Sequence, residues 1–124
     1  MLSRNRDANV RVFAVWEPIL FTDWKKPGEG VLRRLTDTRV KQIWDSQHLI
    51  AKQLAKDARP PQPEPGCCTR NGILWDLAAV YPPDAVWTEA MPAAVVFDGA
   101  VVNMEAEIDA AVRKLQQRES VPVK

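Results

Sequence analysis

The chain has 124 residues, 46% hydrophobic and 27% charged, and 17 basic against 16 acidic side chains give a net charge of +1. That length suits a single domain burying about two-thirds of its unfolded surface. The near-neutral balance supplies no field for holding nucleic acid or an anionic membrane.

The opening residues, MLSRNRDAN, lack the apolar run of a signal peptide. They read as a flexible segment over 1–9, ahead of one domain over 10–118 and a flexible tail over 119–124. The most apolar early stretch, VRVFAVWEPILF, is too short for a membrane span and carries Arg11 and Glu17. A cytoplasmic protein with reduced cysteines is therefore expected.

VRVFAVW (10–16) is β-branched and aromatic with little polar interruption, which predicts a strand buried on both faces. Pro18 stops regular pairing, and FTDWKKPGEG reads as a loop. Val31, Leu32 and Leu35 have the spacing of a short helix ending near Asp37, and RVKQIW (39–44) is the next strand. Asp45 or Ser46 can accept from free backbone N–H groups, so a helix is expected there. Its inward stripe would be Leu49, Ile50 and Leu54, with Lys52 and Lys56 in water.

ARPPQPEPG (58–66) is too rich in proline for a helix or central strand. GILWDLAAVY (72–81) reads as a core strand closed by Pro82 and Pro83. Asp98-Gly99, between AAVVF and AVV, has the chemistry of a tight hairpin turn. Asn103 can cap a final helix with Glu105 and Glu107 in its first turn and Arg113, Lys114 and Arg118 near its end. Met104, Ile108, Ala111 or Val112, and Leu115 form its apolar face. The expected order is β-α-β-α-β-β-β-α, a mixed sheet with helices on its faces.

Both cysteines, Cys67 and Cys68, are adjacent. Neighbours across a trans peptide lie about 3.8 Å apart, closer than an ordinary disulfide prefers. As thiolates they could take a soft ion, but a stable zinc site wants four ligands and the only histidine, His48, is distant in sequence. The pair reads as incidental or as a redox, thiol-modification or soft-metal site. Glu17 and Asp23 are carboxylates beside Trp16 and Trp24, either a cleft or a solvated loop over a sealed core edge. His48 has no nucleophile or carboxylate at a readable spacing. Arg33, Arg34, Arg39 and Lys41, with Lys25 and Lys26, read as a solvated face.

MPAAVVFDGAVV followed by an amphipathic terminal helix resembles the C-terminal half of thioredoxin-fold domains. There a proline in cis precedes a strand, a glycine-containing turn closes a hairpin and a last helix crosses the sheet. The resemblance implies that Pro92 is that proline. VFAVWEPILFTDW, RLTDTRVKQIWD and GILWDLAAVYPP are similar to a group of uncharacterised bacterial thioredoxin-like proteins, and the likeness runs over about residues 10–115. It implies an α/β thioredoxin-like mixed sheet with flanking helices and a C-terminal β-hairpin plus helix. The departure lies in the chemistry: no C-x-x-C opens a helix after the first strand. Either residues 16–20 stand in its place or the motif lies upstream, so dithiol exchange does not carry over.

The expected function is that of a small non-catalytic binding or interaction domain without a metal or cofactor. Its ligand, a small molecule or a protein, would occupy a cleft between 16–24 and 87–92 formed by Trp16, Glu17, Asp23, Trp24, Trp87, Met91 and Pro92. The alternative is a thiol-dependent redox or soft-metal-binding protein using Cys67 and Cys68. A second copy could cover an apolar sheet edge, which makes a homodimer an expectation as well.

Overall fold

The computed structural model describes residues 1–19, 25–58 and 65–122. It is mixed α/β, built from six short strands and three α-helices among the described residues. β1 (Val12–Trp16) and β2 (Val40–Trp44) pair in parallel, with Val12 opposite Val40 and Trp16 opposite Trp44. α1 (Glu29–Leu32) lies in the connection between them, and α2 (Leu49–Asp57) follows β2. β3 (Thr69–Arg70) and β4 (Ile73–Leu74) form a small antiparallel hairpin. β5 (Leu77–Val80) pairs antiparallel with β6 (Val96–Gly99), and α3 (Glu105–Glu119) closes the chain.

The two early strands were legible from their side chains, yet their environment differs from expectation. β1 is not buried on both faces: Phe13 is 53% and Val15 37% exposed, alternating with half-buried Val12, Ala14 and Trp16. The buried core lies elsewhere. Leu74, Met91 and Phe97 form it, and Leu54, Leu77, Ala79 and Tyr81 pack around them.

The late part of the chain differs from expectation. The stretch 72–81 is two strands, because Asp76 adopts a left-handed φ of 50° between β4 and β5. Asn71 (φ 53°) and Gly72 (φ 71°) supply the actual hairpin turn, the paired positive φ values that Asn-Gly accommodates. Asp98-Gly99 is no turn at all but the end of β6, opposite Ala78 and Leu77. Gly99 is needed there for closeness: a Cβ would overlap the Asp76 carbonyl oxygen. The expected C-terminal hairpin is replaced by the β5–β6 pair and a 3-10 turn over Val101–Asn103. The cis peptide bond among the described residues is Gly99–Ala100, so Met91–Pro92 is trans and Pro92 is not the cis proline implied by the resemblance.

Helix ends also shift. α2 starts at Leu49, three residues beyond Ser46, and Leu49 itself is exposed while Ala51 and Asp57 face inward. α3 has no side-chain cap from Asn103; Met104 occupies its N-cap position. The first nine residues are packed rather than loose. Leu2–Arg4 form a 3-10 turn, and Ala8 and Asn5 are buried. Asp109 on α3 accepts from Arg4 Nε at 2.8 Å, Arg4 Nη2 at 2.6 Å and Asn5 Nδ2 at 2.9 Å. Arg39 donates to the carbonyls of Asn5 (2.7 Å), Ala8 (3.1 Å) and Leu2 (3.2 Å), and its guanidinium also holds Asp37.

Candidate functional site

Parallel pairing puts the residues after β1 and β2 side by side. Because Trp16 lies opposite Trp44, Glu17 and Asp45 emerge together at the carboxyl end of the pair, where open α/β sheets tend to hold ligands. The Asp45 N–H donates to the Trp16 carbonyl at 2.7 Å. Its carboxylate turns the other way, accepting from the free N–H groups of Leu49 (2.8 Å), Ile50 (2.9 Å) and Ala51 (3.4 Å) at the start of α2. Asp45 therefore caps α2 from four residues upstream, which fits its sequence role while moving the helix start.

That cap presents His48 at the N-cap position in a left-handed conformation, φ 57°. From there His48 Nδ1 meets Glu17 Oε2 at 2.9 Å, with both side chains largely buried. Burial raises the Glu17 pKa; the His48 hydrogen bond and charge pull it down, and the Asp45 charge pushes it up again. An ionised Glu17 accepts from the His48 Nδ1–H, which fixes the orientation of the ring. Nearby, Trp16 Nε1 donates to Gln42 Oε1 at 3.0 Å, and Gln42 Nε2 donates to the Leu32 carbonyl at 2.8 Å. The indole and amide are thereby locked in place.

The structure divides the expected cleft. Glu17 belongs to the N-terminal end of α2, whereas the Met91 N–H donates to Asp57 Oδ2 at 2.9 Å at the C-terminal end. A nine-residue helix separates its ends by about 12 Å. Met91 is buried in the core, accepting from the Tyr81 hydroxyl through its sulfur at 3.4 Å, and Pro92 is half-buried. Trp87 is exposed. Trp16 and Glu17 thus stay together; Met91, with Pro92 next to it, belongs to another region, and Asp23 and Trp24 lie outside the described residues.

A second locus surrounds the cysteines. Cys67 and Cys68 are joined by a disulfide, against the expectation of two reduced thiols. Cys67 is exposed and Cys68 half-buried. The bridge rests over β6: a Cβ on Gly99 would lie 3.0 Å from Cys68 Sγ and 3.1 Å from Cys67 Sγ. Asp98 Oδ1 accepts from the Gly66 N–H at 2.8 Å and the Gly99 N–H at 2.9 Å, which lowers the Asp98 pKa. Among the described residues no group of three or more His, Cys, Asp or Glu could hold a metal ion.

No protein-family model, curated protein or solved structure matches this chain. Among the described residues no helix is long and apolar enough to cross a membrane.

The His48–Glu17 pair was missed because 31 positions separate its members. The available signal was register: two parallel strands each ending in Trp, followed by Glu17 and Asp45. For the second locus, the Asn71-Gly72 dipeptide beside the cysteines announced the hairpin.

Proposed function

We propose that this chain is a small interaction domain that binds an extended polypeptide segment by adding it as a strand along the free edge of β1. The observation carrying this is that edge. Among the described residues β1 pairs only with β2. The ladder runs from the Val12 N–H on the Arg39 carbonyl to the Asp45 N–H on the Trp16 carbonyl. Parallel alternation then points the backbone groups of Val12, Ala14 and Trp16 at β2, and those of Phe13 and Val15 at the open side.

The same two residues carry the exposed apolar side chains of the strand, and Ile19 just beyond is also exposed. An edge with unpaired amides and alternate apolar side chains is complementary to another backbone with apolar residues at every second position. Glu17 and His48 stand at its carboxyl end as polar groups for registering the bound segment. The order β1-α1-β2-α2, then the β5–β6 antiparallel pair and α3, supports a thioredoxin-like relationship, and the trans Met91–Pro92 bond weighs against it.

Selection of a random octapeptide phage library on the immobilised protein tests the proposal. Enriched sequences should alternate apolar residues, and their synthetic peptides should slow hydrogen exchange at the Phe13 and Val15 amides. Phe13→Lys/Val15→Lys should weaken binding by about tenfold or more. Peptides that leave those amides unprotected would refute strand addition. Sedimentation of the free protein separates a partner segment from a second copy: a dimer with the same two amides protected assigns the edge to self-association.

A further inference from the structure

The disulfide between Cys67 and Cys68 performs no ordinary structural service. Disulfides stabilise chiefly by tying together distant parts of the unfolded chain, and the effect grows with the enclosed loop. Here the sequence separation is 1, so the bridge encloses a single peptide unit and anchors no element to another. Its surroundings are nevertheless specific. It is seated against Gly99 of β6, where an added Cβ would press on both sulfurs. The preceding Gly66 N–H is held by Asp98, and Cys68 is a non-glycine residue with φ of 79°. Such a conformation is unfavourable for an L residue and is kept where covalent or packing constraints impose it.

We propose that Cys67–Cys68 is a reversible two-electron thiol–disulfide exchange site whose reductants are dithiols. This function stands apart from strand addition at β1. Cys67 is the more exposed residue of the pair, and its Sγ is the sulfur attacked. A thiolate of the reductant attacks it, forming a mixed disulfide and releasing Cys68 as a thiolate. The reductant's second thiol, as its thiolate, then attacks the mixed disulfide at the reductant's own sulfur and leaves as a cyclic disulfide. Cys67 departs as a thiolate; both cysteines take protons, from the two reductant thiols by way of water, so two electrons and two protons are transferred. A monothiol lacks that second step. The Cys68 thiolate is one residue away and re-closes the bridge, expelling the monothiol faster than another molecule arrives.

The redox state has a built-in reporter. The Cys68 carbonyl accepts from the Trp75 N–H at 2.9 Å, where the β3–β4 hairpin begins and ends, and the Trp75 indole is partly exposed. Opening the ring frees Cys68 from its left-handed conformation and alters that contact. Reduction should therefore change tryptophan fluorescence in the wild type and not in Trp75→Phe.

Thiol titration of the full chain, purified without reductant, decides the matter. No free thiol is expected before treatment and both cysteines after it, without unfolding. At equal thiol concentration dithiothreitol should yield about tenfold more reduced protein than glutathione. Cys67→Ser and Cys68→Ser should each show one thiol regardless of treatment and no fluorescence response. Two free thiols in the untreated protein, reduction only in denaturant, or equal reduction by the monothiol would each overturn the proposal. Should either serine variant fail to fold, the wild-type titration and the Trp75→Phe control still decide it.

Discussion

Glu17 stands between opposing influences, and burial is the strongest. Burial raises its pKa, His48 counteracts this, and Asp45 adds to it. A carboxyl whose pKa is higher in the folded state contributes its stability below the unfolded pKa, about 4.3, and loses it as pH rises through the folded value. Glu17→Gln keeps an acceptor for His48 Nδ1 while removing the cost of a buried charge. Its melting temperature should exceed that of the wild type at pH 7 and match it near pH 3, as thermal unfolding at the two pH values will show. Equal curves at both values would mean that Glu17 is not penalised by burial.

Elements depend on a few polar contacts that act at their ends. α2 has no cap from His48, and the Asp45 carboxylate serves three of its free N–H groups. Asp45→Ala should cost about 1–2 kcal/mol in chemical denaturation, with Asp45→Asn recovering part of it. The same substitution should loosen His48, so the Glu17 contact depends on the cap as well. In the β3–β4 hairpin, Gly72 has φ of 71° and nothing within 4 Å of a would-be Cβ. Gly72→Ala should therefore cost about 1 kcal/mol from conformation alone. Gly99→Ala meets an atomic overlap instead and should cost more, with the disulfide seat disturbed as well.

At the scale of the molecule, stability is concentrated in a small late core. Phe97 is 2% exposed, and Phe97→Ala should cost about 3–5 kcal/mol, a large share of the roughly 5–15 kcal/mol that holds a domain folded. The N-terminal segment is held differently, by charge. Asp109 and Glu105 are kept below the usual carboxylate range chiefly by hydrogen bonds from Arg4, and Asp37 is lowered to about 2 by Arg39. Depressed carboxylates contribute stability above their unfolded pKa and lose it as pH falls through the folded one. Residues 1–9 should therefore detach on acidification from about pH 4 towards pH 2, before the core opens. Hydrogen exchange of the Asn5 and Ala8 amides, followed alongside that of Phe97, gives the order of events.

Local composition accounts for the elements: β-branched runs at 12–16 and 40–44 made strands, a carboxylate at 45 capped a helix, and the 3.6-residue periodicity after Met104 made α3. Those signals arise from neighbours within one turn or one pleat, so they are written locally. Tertiary structure decided where Glu17 finds His48, why Gly99 is glycine, which side of β1 stays open and what pins the first nine residues. Each of these joins groups separated by many positions, through strand register or close backbone approach. Asp98-Gly99 shows the limit most clearly. The dipeptide suits a tight turn, but pairing with β5 and the nearby Asp76 carbonyl made it the end of a strand.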